Sequence, residues 1–508
     1  MSSTTEGRLE ALLRKHGSTL FYVAVALVAT APAWIVKHPP LQDLPFHLAT
    51  IRVVHDFGDP QLGFAQHYVL TFGRTQYVLY YLLGSALAYP LGVQAANVVL
   101  LSVYLGGTPL ALRALLRALG RDERLCLFSI PILVNVMFSF GLLPFIFGIP
   151  IMFTALWAAV RHFDAPTPKT GAILGVLVIG LFYAHIFPFG LFAVGTLLLF
   201  PWTRPDRWIR SALPYVPGGL AATYWLFFTE PGKAARGAAK AAEQAPPLAQ
   251  ALSNAWMWTG EVFRDQSDEA HWIAAGAVAV LSLGLSTQWK HKAARGRLLI
   301  VIPLLCVVMY FTQGESRGAV WLFCQRFPIL FLFTVIPFLR LPHGWLGTLC
   351  TTAILAVSVS SVANVCKHYV QFEREEVGEI DEACDAVPYN SKTAALIFDK
   401  GSGVVHWAPF LHFGSYCQLR RGGLIQFSYA GWSHWPFDYK PGAYPPAVTK
   451  PVLRWEWMPE GRDVTGELMP NYDHIVTRGG GFHPPPGTYR VSWRSGRWAV
   501  WEREPGAR

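Results

Sequence analysis

Long apolar runs separated by short polar stretches fill the first 363 residues of the chain. A helix needs roughly 17–25 mainly apolar residues to cross a bilayer. By that rule we predict spans near residues 18–36, 93–112, 125–142, 144–160, 171–187, 189–202, 211–228, 271–287, 298–312, 327–340 and 345–363. The predicted fold is an α-helical polytopic membrane protein with about eleven transmembrane helices.

The apolar run at 75–91, TQYVLYYLLGSALAYPL, fits either a span or a helix at the membrane surface. Cytoplasmic loops carry an excess of Lys and Arg. If 75–91 does not cross, seventeen basic residues fall in the short cytoplasmic segments and nine in the opposite loops. A crossing would move the basic cluster RALLRALGRDER outside and abolish this bias. We therefore predict that 75–91 lies on or partly in the membrane, with the N-terminus cytoplasmic and the C-terminal tail outside.

The first apolar run follows the basic residues Arg8, Arg14 and Lys15 and extends from Leu20 to Val36. This order is similar to that of a signal peptide. The run is long, however, and no convincing small-x-small cleavage site follows it. We predict an uncleaved first helix.

The loops and the tail divide the chain into two predicted domains. Residues 1–363 form a transmembrane module with long outside loops at 37–92 and 229–270, and residues 364–508 form a small extracytoplasmic α/β domain. The second loop contains KAARGAAKAAEQAPPLAQAL, which fits an interfacial helix, a mobile lid or a solvated linker. In the tail, QFEREEVGEIDEACDAV and APFLHFGSYCQLRRGG predict helices, TAALIFD and YDHIVTRG predict strands, and YRVSWRS with GRWAVWERE predicts a hairpin.

Composition agrees with a membrane protein. The chain is 52% hydrophobic and 15% charged, whereas soluble proteins are about 25% charged. The formal charge of +10 is consistent with basic cytoplasmic loops, so we predict no nucleic-acid partner. The cysteines form neither a CxxC pair nor a zinc spacing. Cys366, Cys384 and Cys417 lie in the tail, where an oxidising compartment would permit a disulfide whose pairing is open.

The first outside loop, KHPPLQDLPFHLATIRVVHDFGDP, carries the strongest candidate chemistry. Its double proline ends the first helix, and Asp43, two residues before Pro45, marks the start of another. Asp is a favoured helix N-cap, so Asp43 is either a cap or a catalytic carboxylate, and the two roles are compatible. A carboxylate beside a membrane can deprotonate an acceptor hydroxyl in a glycosyl transfer.

Other polar side chains are candidates for binding a lipid phosphate. Arg52, Arg74 and Arg326 are the cations that can stabilise a leaving phosphate. Arg326, in FCQRFP at the outer mouth of a predicted span, also fits a snorkelling arginine. His185, in LFYAHIFPFG near the outer end of a span, indicates either a functional residue or a hydrogen bond between helices.

Five motifs carry a family resemblance: QDLPFHLATI, FSFGLLPFIFGIP, LFYAHIFPFG, QRFPILFLF and NYDHIVTRG. They are similar to motifs of a bacterial membrane-protein group whose first loop reads approximately D-x-P-x-H-L. The layout of the chain resembles the GT-C superfamily of polyprenyl-phosphate-sugar-dependent glycosyltransferases, and residues 74–122 look like the juxtamembrane helix, second span and basic cytoplasmic turn of that superfamily. The resemblance implies that Asp43 is the loop acid and His47 the motif histidine. It also implies a bacterial inner-membrane enzyme with a periplasmic tail, whose partners are membrane lipids, a polyprenyl-phosphate-linked sugar donor and a lipid, glycan or protein acceptor.

The chain departs from this pattern at one point. Many GT-C enzymes carry a second acidic residue in the next outside loop, but FSFGLLPFIFGIP contains none. Either Asp56, Asp59 or Glu315 replaces it, or the chain does without a second acid. The departure leaves metal dependence open: a divalent cation is allowed, but we assign no metal ligand.

Two alternatives to an enzyme follow from the same sequence. A flippase for lipid-linked glycans predicts polar residues at mid-membrane and repeated halves, and the sequence shows little of either. A non-catalytic scaffold that displays the tail domain would need no base at Asp43. Replacement of Asp43 by Asn separates the scaffold from the enzyme.

Overall fold

The computed structural model describes residues 17–238, 244–286, 295–317, 320–443 and 457–506. The predicted basic residues Arg8, Arg14 and Lys15 lie outside these ranges, as does part of the Ala-rich stretch of the second outside loop.

The described chain is mainly helical. In chain order its helices are α1 Gly17–Ala29, α2 Ala31–Trp34, α3 Leu44–His55, α4 Phe64–His67, α5 Leu79–Leu91, α6 Val93–Leu105, α7 Gly107–Ala118, α8 Val136–Ser139, α9 Leu143–Asp164, α10 Pro168–Ala184, α11 Ile186–Leu199, α12 Trp208–Ala212, α13 Val216–Phe228, α14 Glu230–Ala238, α15 Leu248–Met257, α16 Ser267–Leu285, α17 Val301–Thr312, α18 Arg326–Val335, α19 Gly344–Phe372, α20 Ile380–Asp385 and α21 Ser415–Arg421.

Three of the described helical segments are long and apolar enough to cross a membrane: Val93–Ala118, Leu143–Asp164 and Gly344–Val377. Shorter apolar helices coincide with other predicted spans, including Pro168–Ala184 and Arg326–Phe338. The helical, multi-span character of the chain is thus visible in the structure. The number eleven stays a prediction.

The predicted span at 125–142 is not one α-helix. Residues Glu123–Ile132 form 3-10 turns, and α8 adds only four residues. This segment is buried against α7 and α19, and the hydroxyl of Tyr104 donates to the Leu133 carbonyl at 2.7 Å. Its apolar side chains therefore pack inside the protein, where side chains can satisfy irregular backbone groups.

The tail contains a five-stranded mixed sheet in the order β3-β2-β5-β7-β6. Its strands are β2 Lys392–Ile397, β3 Leu424–Ile425, β5 His474–Arg478, β6 Tyr489–Ser495 and β7 Trp498–Arg503. β2 is parallel to β3 and β5, whereas β7 is antiparallel to both β5 and β6. The predicted strands and the C-terminal hairpin are confirmed.

The helices at the start of the tail differ from the prediction. α19 continues without a break past residue 363 to Phe372, and a π-helical turn follows at Glu373–Val377. Gly378, at φ +63°, then separates this turn from α20. A conformation that glycine adopts readily thus splits the predicted polar helix. A disulfide joins Cys384 on α20 to Cys417 on α21, and Cys366 is a free thiol.

The loop at 37–92, which the sequence predicts to lie outside, is joined to the tail by backbone pairing. Strand β1, Tyr68–Leu70 in the loop, is antiparallel to β4, Phe437–Tyr439 in the tail, with Tyr68 opposite Tyr439. The side-chain amide of Gln418 donates to the Tyr68 hydroxyl at 2.8 Å. The tail is therefore packed directly on the loop that carries Asp43.

A buried histidine reinforces this joint. His38 Nδ1 lies 3.0 Å from Glu373 Oε1, and its Nε2 lies 3.5 Å from Asp381 Oδ1. Lys37 also pairs with Asp381. Burial by itself lowers the pKa of His38, but hydrogen bonds and charges from Asp381 and Glu373 raise it above the ordinary value. For Asp381, burial opposes His38 and Lys37, which together hold its pKa well below the usual range.

We expect this joint to weaken as the pH rises above 6.5. A raised pKa means that His38 stabilises the fold fully below its ordinary value of 6.5 and loses that contribution as the pH passes the raised pKa. The Asp381 contribution is instead lost only in strong acid. The midpoint of thermal unfolding should fall between pH 6 and 9 in the wild type, and this fall should be smaller in His38→Gln. Equal pH dependence in both proteins would contradict the assignment.

Candidate active site

Asp43 lies directly before α3, as the sequence predicts, but its side chain does not cap the helix. Asp43 Oδ1 is 2.9 Å from Nδ1 of His412, and Oδ2 accepts a hydrogen bond from the Tyr429 hydroxyl at 3.1 Å. Both partners belong to the tail. Asp43 as a residue is 6% exposed, so its surroundings are set by protein groups.

Three consecutive carbonyls of the next loop support the backbone around Asp43. The Ser139 carbonyl accepts from the backbone N–H of Gln42 at 2.9 Å, and the Phe140 carbonyl accepts from that of Asp43 at 3.1 Å. The third, Gly141, accepts from His47 Nε2 at 2.8 Å. These bonds fix the point where α3 begins.

His47 is a neutral clamp between the two loops. Because a carbonyl can only accept, its Nε2 must carry the proton that it shares with Gly141. Nδ1 then accepts from the Tyr81 hydroxyl at 2.9 Å. Burial lowers the pKa of His47 to about 4, although the Asp43 charge opposes this shift. His47 thus holds α3 against α5 and Gly141 without adding a charge.

A cavity of about 150 Å³ opens beside Asp43. Its polar lining includes Gln42, Asp43, His47, His185, Arg326 and His434. Its aromatic lining includes Tyr77, Tyr81, Trp321, Tyr429, Trp432 and Trp435. The lining combines the first loop, the spans and the tail, and it offers both polar groups and ring faces to a ligand.

Arg326 brings a buried positive charge to this cavity. Its side chain is 8% exposed, and its guanidinium lies over the rings of Phe187 and Phe145 at 5.0 and 5.7 Å. One N–H donates to the Trp321 carbonyl at 3.2 Å, whereas Nε has no hydrogen-bond partner among the residues that the structure describes. No described carboxylate is within ion-pair distance. Because an unpaired buried charge is costly, this geometry favours an anionic ligand.

His185 lies between two helices at the cavity wall. It ends α10 and caps α11, since its Nδ1 accepts from the Phe187 N–H at 3.2 Å. Its ring centroid is 4.7 Å from that of Tyr77. The observed hydrogen bond is a local cap, which holds the imidazole at the cavity.

The remaining predicted residues are not brought to Asp43. Arg52 pairs with Asp56 at 2.9 Å, and Arg74 pairs with Asp438 of the tail at 2.8 Å. The Asp59 carboxylate accepts from the backbone N–H of Gln61 at 2.8 Å. Glu315 does not line the cavity, so Asp43 is the one described carboxylate that does. Among described residues, no three His, Cys, Asp or Glu side chains form a metal-binding group.

The tail contributes residues to the cavity that no motif in the sequence had indicated. The loop SYAGWSHWP, residues 428–436, supplies Tyr429, Trp432, His434 and Trp435 to the cavity. Burial and the nearby charge of Arg326 lower the pKa of His434 to about 4. The density of aromatic and histidine residues in this loop was an available signal. The contact between His412 and Asp43 left no such signal, because the two residues lie far apart in the sequence.

Comparison with known proteins gives a match in structure. No family model matches the sequence, and no curated protein matches it. ArnT from Cupriavidus metallidurans in the apo state superimposes with a TM-score of 0.54 at 11% identity, over 96% of this chain and 98% of ArnT. The same protein bound to undecaprenyl phosphate gives 0.52 and 10% over the same shares. The chain has an ArnT-like fold. The likeness is one of fold, and it bears out the fold that the sequence resemblance implies.

The glycine at 141 provides a test of the loop support. Gly141 has φ +75°, and a Cβ there would lie 2.9 Å from the backbone nitrogen of Asp43. Positive φ costs a non-glycine residue on the order of 1–3 kcal/mol, and the clash adds to this. We expect Gly141→Ala to lower the thermal unfolding midpoint more than Gly120→Ala, whose site has φ +66° but open space. Equal midpoints for the two variants would contradict the close packing.

Proposed function

We propose that this protein is a membrane glycosyltransferase that moves a sugar from a polyprenyl-phosphate donor to a lipid, glycan or protein acceptor. The observation that carries the proposal is that Asp43 and Arg326 line one cavity without forming an ion pair with each other. A base and a separate cation are the two charges that this reaction needs. The reaction would take place at the outer face of a bacterial inner membrane.

Asp43 is the proposed general base. Its oxygens each keep acceptor capacity beyond the contacts with His412 and Tyr429. The carboxylate takes the proton of an acceptor hydroxyl while the hydroxyl oxygen forms a bond to the anomeric carbon of the sugar. The bond between that carbon and the phosphate oxygen breaks, and polyprenyl phosphate leaves.

Arg326 is the proposed phosphate ligand. Negative charge grows on the phosphate as the bond to the sugar breaks, because a diester becomes a monoester. A guanidinium held in a buried site stabilises such developing charge more strongly than it would in water. The solved ArnT that binds undecaprenyl phosphate has a fold similar to this one, which supports a lipid phosphate as the ligand.

Two observations support a periplasmic tail. The Cys384–Cys417 disulfide is typical of an oxidising compartment. Lys and Arg are concentrated in the short loops on the side of the predicted spans away from the tail, and such basic loops are typical of the cytoplasmic face. Together they support a cavity on the outer side of the membrane.

The alternatives explain less of the geometry. A scaffold has no need for an unpaired buried arginine, which reduces stability. A flippase would need charged or polar groups along a path through the membrane, whereas the described cavity combines a base and a cation at one place. A divalent cation would find one carboxylate, Asp43, in the described lining.

Asp43→Asn tests the base. The variant keeps the size of the side chain but cannot accept the proton, so transfer should fall by about 100-fold or more. The readout is free polyprenyl phosphate, measured by mass spectrometry from a panel of polyprenyl-phosphate-linked pentoses and hexoses with envelope lipids and glycans as acceptors. Asp59→Asn is the matched control. Release by Asp43→Asn at the wild-type rate would refute the proposal, as would no release by the wild type.

Arg326→Gln tests the phosphate site. A hydrogen bond to a charged group contributes about 1.5–3 kcal/mol, so undecaprenyl phosphate should bind about ten- to 100-fold more weakly. Native mass spectrometry of the full chain in detergent measures this affinity. Arg52→Gln removes an arginine that pairs with Asp56, and it should leave the affinity for undecaprenyl phosphate unchanged. A similar loss in both variants would argue against a specific role for Arg326.

A further inference from the structure

We propose that the tail completes the catalytic site by supplying His412 as a positioning residue for Asp43. The inference rests on the proposed function of Asp43 as general base. His412 Nδ1 lies 2.9 Å from Asp43 Oδ1, and the Tyr429 hydroxyl donates to Oδ2 at 3.1 Å. Each oxygen of the base therefore has one contact from the tail.

His412 acts through Asp43 because it does not reach the cavity. Asp43 and Tyr429 line the cavity, whereas His412 is absent from its lining. His412 is 4% exposed, and its ring lies against that of Phe46, with the ring centroids 4.1 Å apart. It thus lies behind the carboxylate, on the side away from a ligand.

Asp43 needs such support because its own helix gives it none. The carboxylate makes no capping hydrogen bond to α3. The terminal torsion of an aspartate has a broad energy minimum, so a carboxylate without fixed partners samples many orientations. Contacts on both oxygens limit this rotation and leave the remaining lone pairs for the acceptor hydroxyl.

The tail can hold this position because it is attached to the same loop at several points. The Trp435 indole N–H donates to the Thr50 hydroxyl of α3 at 3.1 Å. The β1–β4 pairing and the contacts of His38 with Glu373 and Asp381 add to this attachment. The tail domain is therefore part of the catalytic centre.

The position of the contacting nitrogen allows a sharp test. The amide nitrogen of Asn can occupy the place of Nδ1, whereas that of Gln reaches toward the place of Nε2. His412→Asn should keep most of kcat, but His412→Gln and His412→Ala should lose about ten- to 100-fold. Affinity for undecaprenyl phosphate should stay at the wild-type value in all three. His483→Asn, at an exposed histidine of the same domain, is the control.

A second readout does not depend on turnover. Dicyclohexylcarbodiimide modifies accessible protonated carboxyl groups, and mass spectrometry locates the adduct. Asp43 should react faster in His412→Ala and His412→Gln than in the wild type and in His412→Asn. Tyr429→Phe removes the contact with the other oxygen, keeps the ring, and should also increase labelling.

The possible results separate this inference from the proposed function. Wild-type kcat and labelling in His412→Gln and His412→Ala would overturn the positioning role. Equal losses in His412→Asn and His412→Gln would overturn it too, as would a loss of lipid affinity that matches the loss of kcat. If the His412 variants do not fold, unchanged kcat and labelling in Tyr429→Phe would overturn it. Full activity of Asp43→Asn would instead refute the base itself.

Discussion

Two buried side chains of opposite charge, Asp43 and Arg326, line one cavity without forming an ion pair, and the rest of the structure depends on this constraint. An uncompensated buried charge costs several kcal/mol, so each charge needs support from other groups. Asp43 has His412 and Tyr429 on its two oxygens. Arg326 has a carbonyl and two aromatic faces, but no carboxylate of the described part of the chain pairs with it. The asymmetry leaves the cation available to an incoming anion and gives the Asp43 carboxylate a contact on each oxygen.

This arrangement explains why the tail packs on the first loop. The groups that compensate Asp43 come from the tail, so the loop alone would leave the carboxylate without its partners. Arg74, which the sequence made a candidate phosphate ligand, instead pairs with Asp438 of strand β4. His38 links the loop to Glu373 and Asp381 at another side. Arg74 and His38 thus attach the loop to the tail, whereas Arg326 pairs with no carboxylate of the described residues.

The sequence predicted the helical module, the tail strands and four residues that the structure brings to one cavity: Asp43, His47, His185 and Arg326. It failed at 125–142, because an apolar run buried in protein has the same pattern as one buried in lipid. It could not separate Arg326 from Arg52 and Arg74, since the partners of a cation depend on tertiary contacts. The helix predicted over 408–423 forms only at Ser415–Arg421, and His412 lies in the irregular part before it.

The structure of the loop FSFGLLPFIFGIP gives a physical reason why it carries no second acidic residue. In FSFGLLPFIFGIP the carbonyls of Ser139, Phe140 and Gly141 bind Gln42, Asp43 and His47 in turn. Gly141 turns the chain at positive φ and has no side chain to strike Asp43. A carboxylate in this loop would bring a second negative charge toward Asp43 and raise the cost of burying both. The loop instead supports Asp43 through its backbone, and the tail supplies the side chains that orient it.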